Sequence, residues 1–359
     1  MTARRRYAIL TDGQLLDRRA KTAHGVIQYG HDEIAAVIDR QYAGRSVADL
    51  LPRLGRSAPI VASVREALAF SPTSLLVGVA NQGGFIPDSF RPHILDAINA
   101  GLEIVSGLHQ LLRDDAQFVE HAKRSGSRLW DVRVPPPDIP LFSGAAYRVP
   151  QIVSLAVGSD CAVGKKSVMI ELGRAARDAG DRAEFVATGQ TGVLIAGKGI
   201  VVDRVISDFI TGAAEQLVLG VSPDADFALV EGQGSIYHPA YAPVTLGLLF
   251  GCAPDLLVLC IDTDRASIEE YGVPIPPLRE MIRAHEALLA PVKPAKVAAI
   301  AINTSSLDDA QARASLSDAR AQTGLPADDV VRYGGRRLWH ALRDAAHATT
   351  KRQASTAAR

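Results

Sequence analysis

The sequence predicts an α/β protein built from two parallel-sheet domains, the second of which carries a phosphate-binding loop. Short apolar runs alternate with stretches of helical periodicity along most of the 359 residues. One of these runs leads through a glycine loop to Gly164-Lys165, where helical periodicity begins. Three consecutive prolines at residues 135–137 separate the two halves of the chain.

The composition is typical of a globular protein in water. With 359 residues, of which 47% are hydrophobic and 22% charged, the chain is long enough for two domains. The formal net charge is zero, so no nucleic-acid or anionic-membrane partner is expected. We find neither an apolar run long enough to span a bilayer nor a secretory signal pattern. The three cysteines lack metal-type spacing, which favours reduced thiols, a cytoplasmic location and no bound metal.

The first half of the chain predicts a parallel sheet. Its strand-like runs are residues 7–10, 60–62, 74–79 and 102–105, and its predicted helices are 64–69, 91–100 and one around 32–39. Glycine-rich turns follow two of the strands, as in Ala80-Asn81-Gln82-Gly83-Gly84. Ligands of such sheets bind at the carboxyl edge of the strands.

The prolines place the domain boundary. Three successive prolines cannot continue a helix or a central strand, so the chain changes character there. We predict a first domain at 1–138, a proline-containing linker at 139–151 and a second domain at 152–359. Strands are expected in the second domain at 152–157, 183–187, 225–230, 255–260 and 296–302.

The loop after the first of these strands has the order of a phosphate cradle: strand, glycine, short loop, Gly-Lys, helix. Its N–H groups and the helix N-terminus would face an anion, and the lysine adds a positive charge. The predicted binding residues are Gly158, Ser159, Asp160, Cys161, Ala162, Val163, Gly164, Lys165, Lys166 and Ser167. The alternative is an ordinary strand-to-helix turn that happens to hold Gly-Lys.

This loop departs from the usual G-x4-G-K-[ST] spacing at two points. Five residues separate Gly158 from Gly164, and Lys166 stands where a magnesium-binding hydroxyl normally follows the lysine, with Ser167 one residue later. Asp160 is unexpected because a carboxylate repels phosphate. It either contacts a metal or an amine, or it turns away to cap the helix.

Other polar residues follow the predicted strands of the second half. Glu231 ends a strand where P-loop proteins place a metal-coordinating or water-orienting acid, although a surface acid in a glycine turn has the same pattern. His238 is a candidate acid or base, or a structural histidine before proline. Gln190 and Thr191 are candidate substrate contacts or turn residues, and Asn303 is either a base-reading asparagine or a turn residue.

Several of these segments resemble known families. The loop is similar to the pattern G-[ST]-D-x-x-V-G-K of dethiobiotin synthetases and cobyrinate amidases. Together with the segments 187–192 and 230–241, it resembles a bacterial and archaeal P-loop family long catalogued as a domain of unknown function. The segments 80–84 and 106–109 resemble the Rossmann-like N-terminal domain of that family. The resemblance implies a Rossmann-like parallel-sheet domain followed by a P-loop NTPase-like one.

Members of this family include D-glutamate N-acetyltransferases, so the resemblance implies acetyl transfer from acetyl-CoA to the amino group of D-glutamate. The loop would hold the phosphates of CoA together with Asn303. Attack of an amine on a thioester needs a base and donors for the oxyanion. The candidate catalytic residues are Glu231, His238 and Lys165. The candidate substrate residues are Gln190, Thr191, Ser235, Tyr241, Arg91 and Arg133, the arginines as partners for an acidic amino acid.

Two other functions fit the same residues. In a magnesium-ATP ligase of the dethiobiotin synthetase type, Lys165 and Ser167 hold triphosphate and metal, Glu231 completes the metal site, and a small carboxylate is activated. A nucleotide-binding regulator without turnover is the third hypothesis. In every case we expect a small-molecule ligand and a homo-oligomer.

Overall fold

The computed structural model describes residues 4–357, so the outermost residues of the two predicted domains, 1–3 and 358–359, lie outside it. The chain forms two compact units. The first contains Met1–Pro135 and Val193–Arg204, and the second contains Pro136–Gly192 and Val205–Arg359. Each unit holds a six-stranded sheet whose neighbouring strands are all parallel, which confirms the predicted α/β class.

The first unit alternates strands with mostly short helices. Its strands are β1 (Arg6–Leu10), β2 (Glu33–Ile38), β3 (Ile60–Val61), β4 (Ser74–Val77), β5 (Glu103–Ser106) and β6 (Leu129–Asp131). Its helices are α1 (Lys21–Tyr29), α2 (Val47–Leu50), α3 (Val64–Ala67), α4 (Phe90–Asn99) and α5 (Ala116–Ser125). The strand order β3-β2-β1-β4-β5-β6 is the Rossmann order.

The helix expected around residues 32–39 was wrong, because this segment is strand β2. Residues 34–38 are buried, and three of them are β-branched, so the run fits a strand covered on both faces. Side chains from β1, β2, β4 and β5 form the core with the apolar faces of α3, α4 and α5.

The second unit has the same alternation. Its strands are β7 (Ile152–Gly158), β8 (Ala183–Val186), β9 (Phe227–Val230), β10 (Leu256–Asp262), β11 (Lys296–Asn303) and β12 (Ala327–Asp328). Its helices are α6 (Lys165–Asp178), α7 (Gln190–Ala196, which runs on into the first unit), α8 (Ile210–Leu219), α9 (Ala242–Cys252), α10 (Leu278–Leu289), α11 (Asp309–Thr323), α12 (Val330–Tyr333) and α13 (Arg336–Ala357).

The second sheet has the order β12-β11-β10-β7-β9-β8, which places β7 in the interior between β10 and β9 and brings the loop after it to the middle of the carboxyl edge. Helices α6 and α13 pack on one face, where Trp339 lies against Phe227 at a ring distance of 4.8 Å. No helix within residues 4–357 combines the length and apolar character that crossing a bilayer requires.

Candidate functional site

The loop after β7 has an anion-binding shape. It leaves the sheet at Gly158 and enters α6 at Lys165. Gly164 has φ +101°, which a side chain disfavours, and Ala162 has φ +55°. Gly164 is also the N-cap residue of α6, and no side chain caps this helix. The N–H groups of the first turn therefore have no capping side chain, an arrangement that suits the binding of an anion.

Lys165 is buried beneath this loop. The residue is only 5% exposed, and its Nζ donates a hydrogen bond to the Asp160 carbonyl oxygen at 2.6 Å. Burial lowers the pKa of Lys165, because a charged ammonium is poorly solvated there. Gly232 makes this position possible: a Cβ on it would lie 1.7 Å from the Ala156 carbonyl oxygen and 3.0 Å from Lys165 Cδ. The absence of a side chain at Gly232 thus leaves room for the Lys165 side chain beside the strand.

Asp160 forms an internal ion pair with Arg265, a partner that was not predicted from the sequence. The residue is fully buried, and Oδ2 accepts hydrogen bonds from Arg265 Nη1 at 2.6 Å and from the Glu269 backbone N–H at 3.0 Å. Oδ1 accepts from the Cys161 N–H at 2.6 Å. Arg265 also donates to the Cys161 carbonyl at 3.0 Å. This arginine neutralises the carboxylate and fixes the loop, and the sequence analysis missed it.

Two residues of this loop and His238, which follows β9, form a possible set of metal ligands. One ligand atom each from Asp160, Cys161 and His238 lies within 4.8 Å of the others, and their chemistry suits Zn²⁺. The carboxylate, however, already binds Arg265, and the loop carbonyl binds the Lys165 ammonium. A divalent cation would therefore compete with one positive charge and be repelled by the other.

His238 lies beside the loop with its imidazole buried. The residue is 3% exposed and lies between the rings of Tyr241 and Tyr271, at 4.5 and 5.1 Å. Its Nδ1 accepts the Ala240 N–H at 3.2 Å, so the neutral imidazole carries its proton on Nε2. Nε2 is 4.0 Å from Asp160 Oδ1. In this tautomer Nε2 carries the N–H, so neither ring nitrogen has a lone pair left to act as a base.

Glu231 anchors the turn that follows β8. Its Oε2 accepts the N–H groups of Thr188 and Gly189 at 3.0 and 2.9 Å, and its carbonyl accepts the Thr188 hydroxyl at 2.9 Å. A Cβ on Gly192 would lie 2.1 Å from Oε2, so only glycine fits at this position. The carboxylate at the end of β9 therefore joins two predicted motifs, residues 187–192 and 230–241.

Two buried polar atoms of this region lack a partner in the described part of the chain. They are Ser159 Oγ, in a residue 1% exposed, and Gln190 Oε1, in a residue 6% exposed. Burying such atoms without a hydrogen bond is costly, and a bound ligand is a common explanation. One belongs to the loop and the other opens α7.

The remaining candidates of the second unit differ in how their side chains are used. Ser235 donates to the Ser159 carbonyl at 3.0 Å, so it joins two loops. Asn303 donates to Asp262 at 3.0 Å and accepts from the Ser305 N–H, which ties together the ends of β10 and β11. Tyr241 is 46% exposed, whereas Thr191 is buried. Lys166 and Ser167 are half-buried in the first turn of α6.

The two predicted substrate arginines lie in the first unit and are held by neighbours there. Arg91 forms a bidentate pair with Asp115 at 2.7 and 2.9 Å, and its guanidinium lies 4.6 Å from the centre of the Phe118 ring. Arg133 donates to the Gly107 carbonyl at 2.5 Å and to both oxygens of Asp203. These contacts give both arginines a structural task.

Comparison with known proteins agrees with this architecture. Residues 40–135 match the model of a Rossmann-like domain of unknown function, DUF1611_N, and residues 140–339 match its P-loop partner, DUF1611_C. A crystal structure of a DUF1611 family protein from Anabaena variabilis is 38% identical, covers 95% of this chain and 99% of that one, and superimposes with a TM-score of 0.90.

Two curated relatives carry the name D-glutamate N-acetyltransferase. The protein from Tritonibacter scottomollicae is 38% identical over 78% of this chain and 84% of its own length. The protein from a Pseudoalteromonas species is 36% identical over 76% of this chain and 82% of its own length. The predicted resemblance is confirmed, and the chain belongs to the DUF1611 family, with an N-terminal Rossmann-like domain and a C-terminal P-loop domain.

Proposed function

We propose that this protein is a D-glutamate N-acetyltransferase that takes its acetyl group from acetyl-CoA and holds the phosphates of CoA at the loop 158–167. The names of two relatives that match more than three quarters of the chain support the reaction. The shape of the loop supports the donor, since acetyl-CoA carries a pyrophosphate and a ribose phosphate.

The observation that carries the proposal is the buried Lys165 below the uncapped N-terminus of α6. A bound phosphate would restore a counter-charge to the lysine and would accept hydrogen bonds from the N–H groups of the first turn. Binding in this manner needs no magnesium ion, which agrees with the displacement of Ser167 from the usual metal-binding position.

Acetyl transfer forms a bond between the amine nitrogen and the acetyl carbon and breaks the carbon–sulfur bond. One proton of the attacking amine passes to the sulfur, so CoA leaves as its thiol, and the ammonium proton is released to water. The amine must first lose its ammonium proton. Nδ1 of His238 already accepts the Ala240 N–H. We therefore assign His238 to donating a hydrogen bond from Nε2–H to acetyl-CoA. We assign Glu231 to the support of the turn 188–192, which carries Gln190.

The test combines binding and turnover on the full chain. We expect calorimetry to give micromolar binding of acetyl-CoA in EDTA and weak binding of ATP with magnesium. We also expect N-acetyl-D-glutamate when D-glutamate is added. The Lys165→Gln variant should bind acetyl-CoA about 10- to 100-fold more weakly, since a charge-assisted contact to phosphate is lost.

Lys296→Gln is the matched control. Lys296 lies in the same unit, its side chain is 66% exposed, and it pairs with Glu286 away from the loop. This variant should bind acetyl-CoA as the unchanged protein does. Tight magnesium-ATP binding without an acetyl-CoA signal would instead favour the ligase, and binding without any turnover would favour a regulator.

A further inference from the structure

The first sheet has its own cluster of charged side chains at its carboxyl edge. Asp12, in the loop after β1, accepts two hydrogen bonds from Arg40, Nε to Oδ1 at 2.8 Å and Nη2 to Oδ2 at 2.7 Å. His93 of α4 places Nε2 at 3.8 Å from Asp12 Oδ2. The exposed fractions of the side chains differ greatly: 2% for Asp12, 12% for His93 and 63% for Arg40.

The position of this cluster in the fold is one where ligands bind. Strands β1 and β4 are neighbours, and the chain leaves them toward opposite sides of the sheet, to β2 and to β5. In open parallel sheets the crevice at such a switch point is the usual binding site. Asp12 also has φ +27°, in the left-handed region that residues other than glycine rarely adopt. Backbone strain of this kind is concentrated at functional sites.

The crevice is not arranged for a dinucleotide. The acid that would bind a ribose hydroxyl, Asp39 at the end of β2, is fully buried. Its Oδ2 accepts from the Thr11 hydroxyl at 3.0 Å and the Leu15 N–H at 3.1 Å, and its Oδ1 accepts from the Gln41 N–H at 3.1 Å. The loop after β1 reads Thr-Asp-Gly-Gln-Leu, without the glycine pattern of a pyrophosphate turn. A smaller ligand fits this edge better.

We propose that Asp12, Arg40 and His93 form the binding site for the acceptor amino acid, a site that rests on the proposed acetyltransferase function. An acidic amino acid offers an ammonium and two carboxylates. When it binds, the exposed Arg40 guanidinium exchanges Asp12 for a ligand carboxylate, and Asp12 takes the ligand ammonium. One half-exposed ion pair is thus replaced by two charge-assisted pairs. The ligand ammonium on Asp12 then lies beside the His93 ring.

The alternative is a purely structural ion pair that fastens the loop after β1 to the segment after β2. The two interpretations differ in a measurement that stability does not affect, the affinity for small ligands. D-glutamate and glutarate form a suitable pair of probes, because glutarate has both carboxylates and lacks the amino group.

The experiment is calorimetric titration of both probes into the full chain, with Arg40→Gln, Asp12→Asn and a control, and with D-glutamate turnover measured alongside. Arg40→Gln should weaken both probes about 10- to 100-fold. Asp12→Asn should weaken D-glutamate by a similar factor and leave glutarate equal or tighter, because it removes a negative charge. The control is Arg5→Gln, which breaks the ion pair with Glu103 in the same unit and should change neither affinity.

Each remaining outcome has one meaning. Unchanged D-glutamate affinity and KM in Arg40→Gln, with turnover retained, would overturn the site and leave the acetyltransferase function standing. Equal weakening of both probes in all three variants would also overturn it, because a general loss of structure would explain that result. If the unchanged protein neither binds nor acetylates D-glutamate, the proposed function fails and the site fails with it.

Discussion

The two sheets build similar clusters from different sequences, and they differ in how deeply those clusters are buried. Asp12 is the second residue after β1, and Asp160 is the second residue after β7, each strand having a neighbour on both sides. An arginine follows one neighbouring strand in each case, Arg40 after β2 and Arg265 after β10. The arginine side chain is 63% exposed in the first sheet and 7% exposed in the second.

This difference shows that a cluster of aspartate, arginine and histidine can serve two purposes. The second cluster is closed: Asp160 takes hydrogen bonds from an arginine and two backbone N–H groups, and the His238 side chain is only 4% exposed. Its task is to hold the phosphate loop in shape. The first cluster has an arginine in water, which can change partners with little desolvation cost. The buried cluster around Asp160 therefore supports the neighbouring loop, whereas the exposed arginine of the cluster around Asp12 is available to bind a ligand.

The comparison predicts its largest difference when each arginine is removed. Arg265→Ala leaves the Asp160 carboxylate buried beside two N–H donors only, and we expect the second unit to lose about 3 kcal/mol of unfolding free energy. Arg40→Ala should change the stability of the first unit much less, because water replaces the exposed guanidinium. Urea unfolding followed by Trp339 fluorescence in a Trp130→Phe background reports on the second unit, and Trp130 fluorescence in a Trp339→Phe background reports on the first. Equal losses in both variants would refute the contrast.

Substitution of a glycine near each cluster should also destabilise the second unit more than the first. A Cβ at Gly232 would meet the Ala156 carbonyl oxygen at 1.7 Å, so we expect Gly232→Ala to cost about 3 kcal/mol. Gly13, beside Asp12, has φ +83° and no atom within 4 Å of its Cβ position, so Gly13→Ala should cost about 1 kcal/mol of backbone strain. Denaturant midpoints of the two variants check this order, and a larger loss at Gly13 would contradict it.

The smallest expected effect concerns pH and Lys165. Burial lowers the pKa of this lysine, whereas a bound phosphate stabilises the charged form and raises the pKa again. Binding of acetyl-CoA should therefore take up protons, and the affinity should fall as pH rises through the lowered pKa. Calorimetry in two buffers of different ionisation enthalpy measures this uptake. In Lys165→Gln the uptake should disappear, whereas an unchanged uptake would assign it to another group.

Local patterns were sufficient for much of the fold. The apolar run 152–157 and the helical spacing after Gly164 correctly predicted β7 and α6, because both depend on neighbours in the sequence. The same reasoning failed for β2: a short apolar run is ambiguous between helix and strand until its partners are known. Strands β6 and β12, of three and two residues, carry too little periodicity to be detected.

The sequence by itself determined the alternation of strands and helices, the glycine loop with its lysine, and the carboxylate at the end of β9. These features depend on residues that are neighbours in the sequence, and they follow from the local preferences of glycine, lysine and β-branched side chains. Only the tertiary structure decided what the charged groups do. Arg265 meets Asp160 across 105 residues, and Arg91 finds Asp115 rather than a substrate. A buried charge takes whichever partner the fold brings within reach, and that distance depends on how the chain packs.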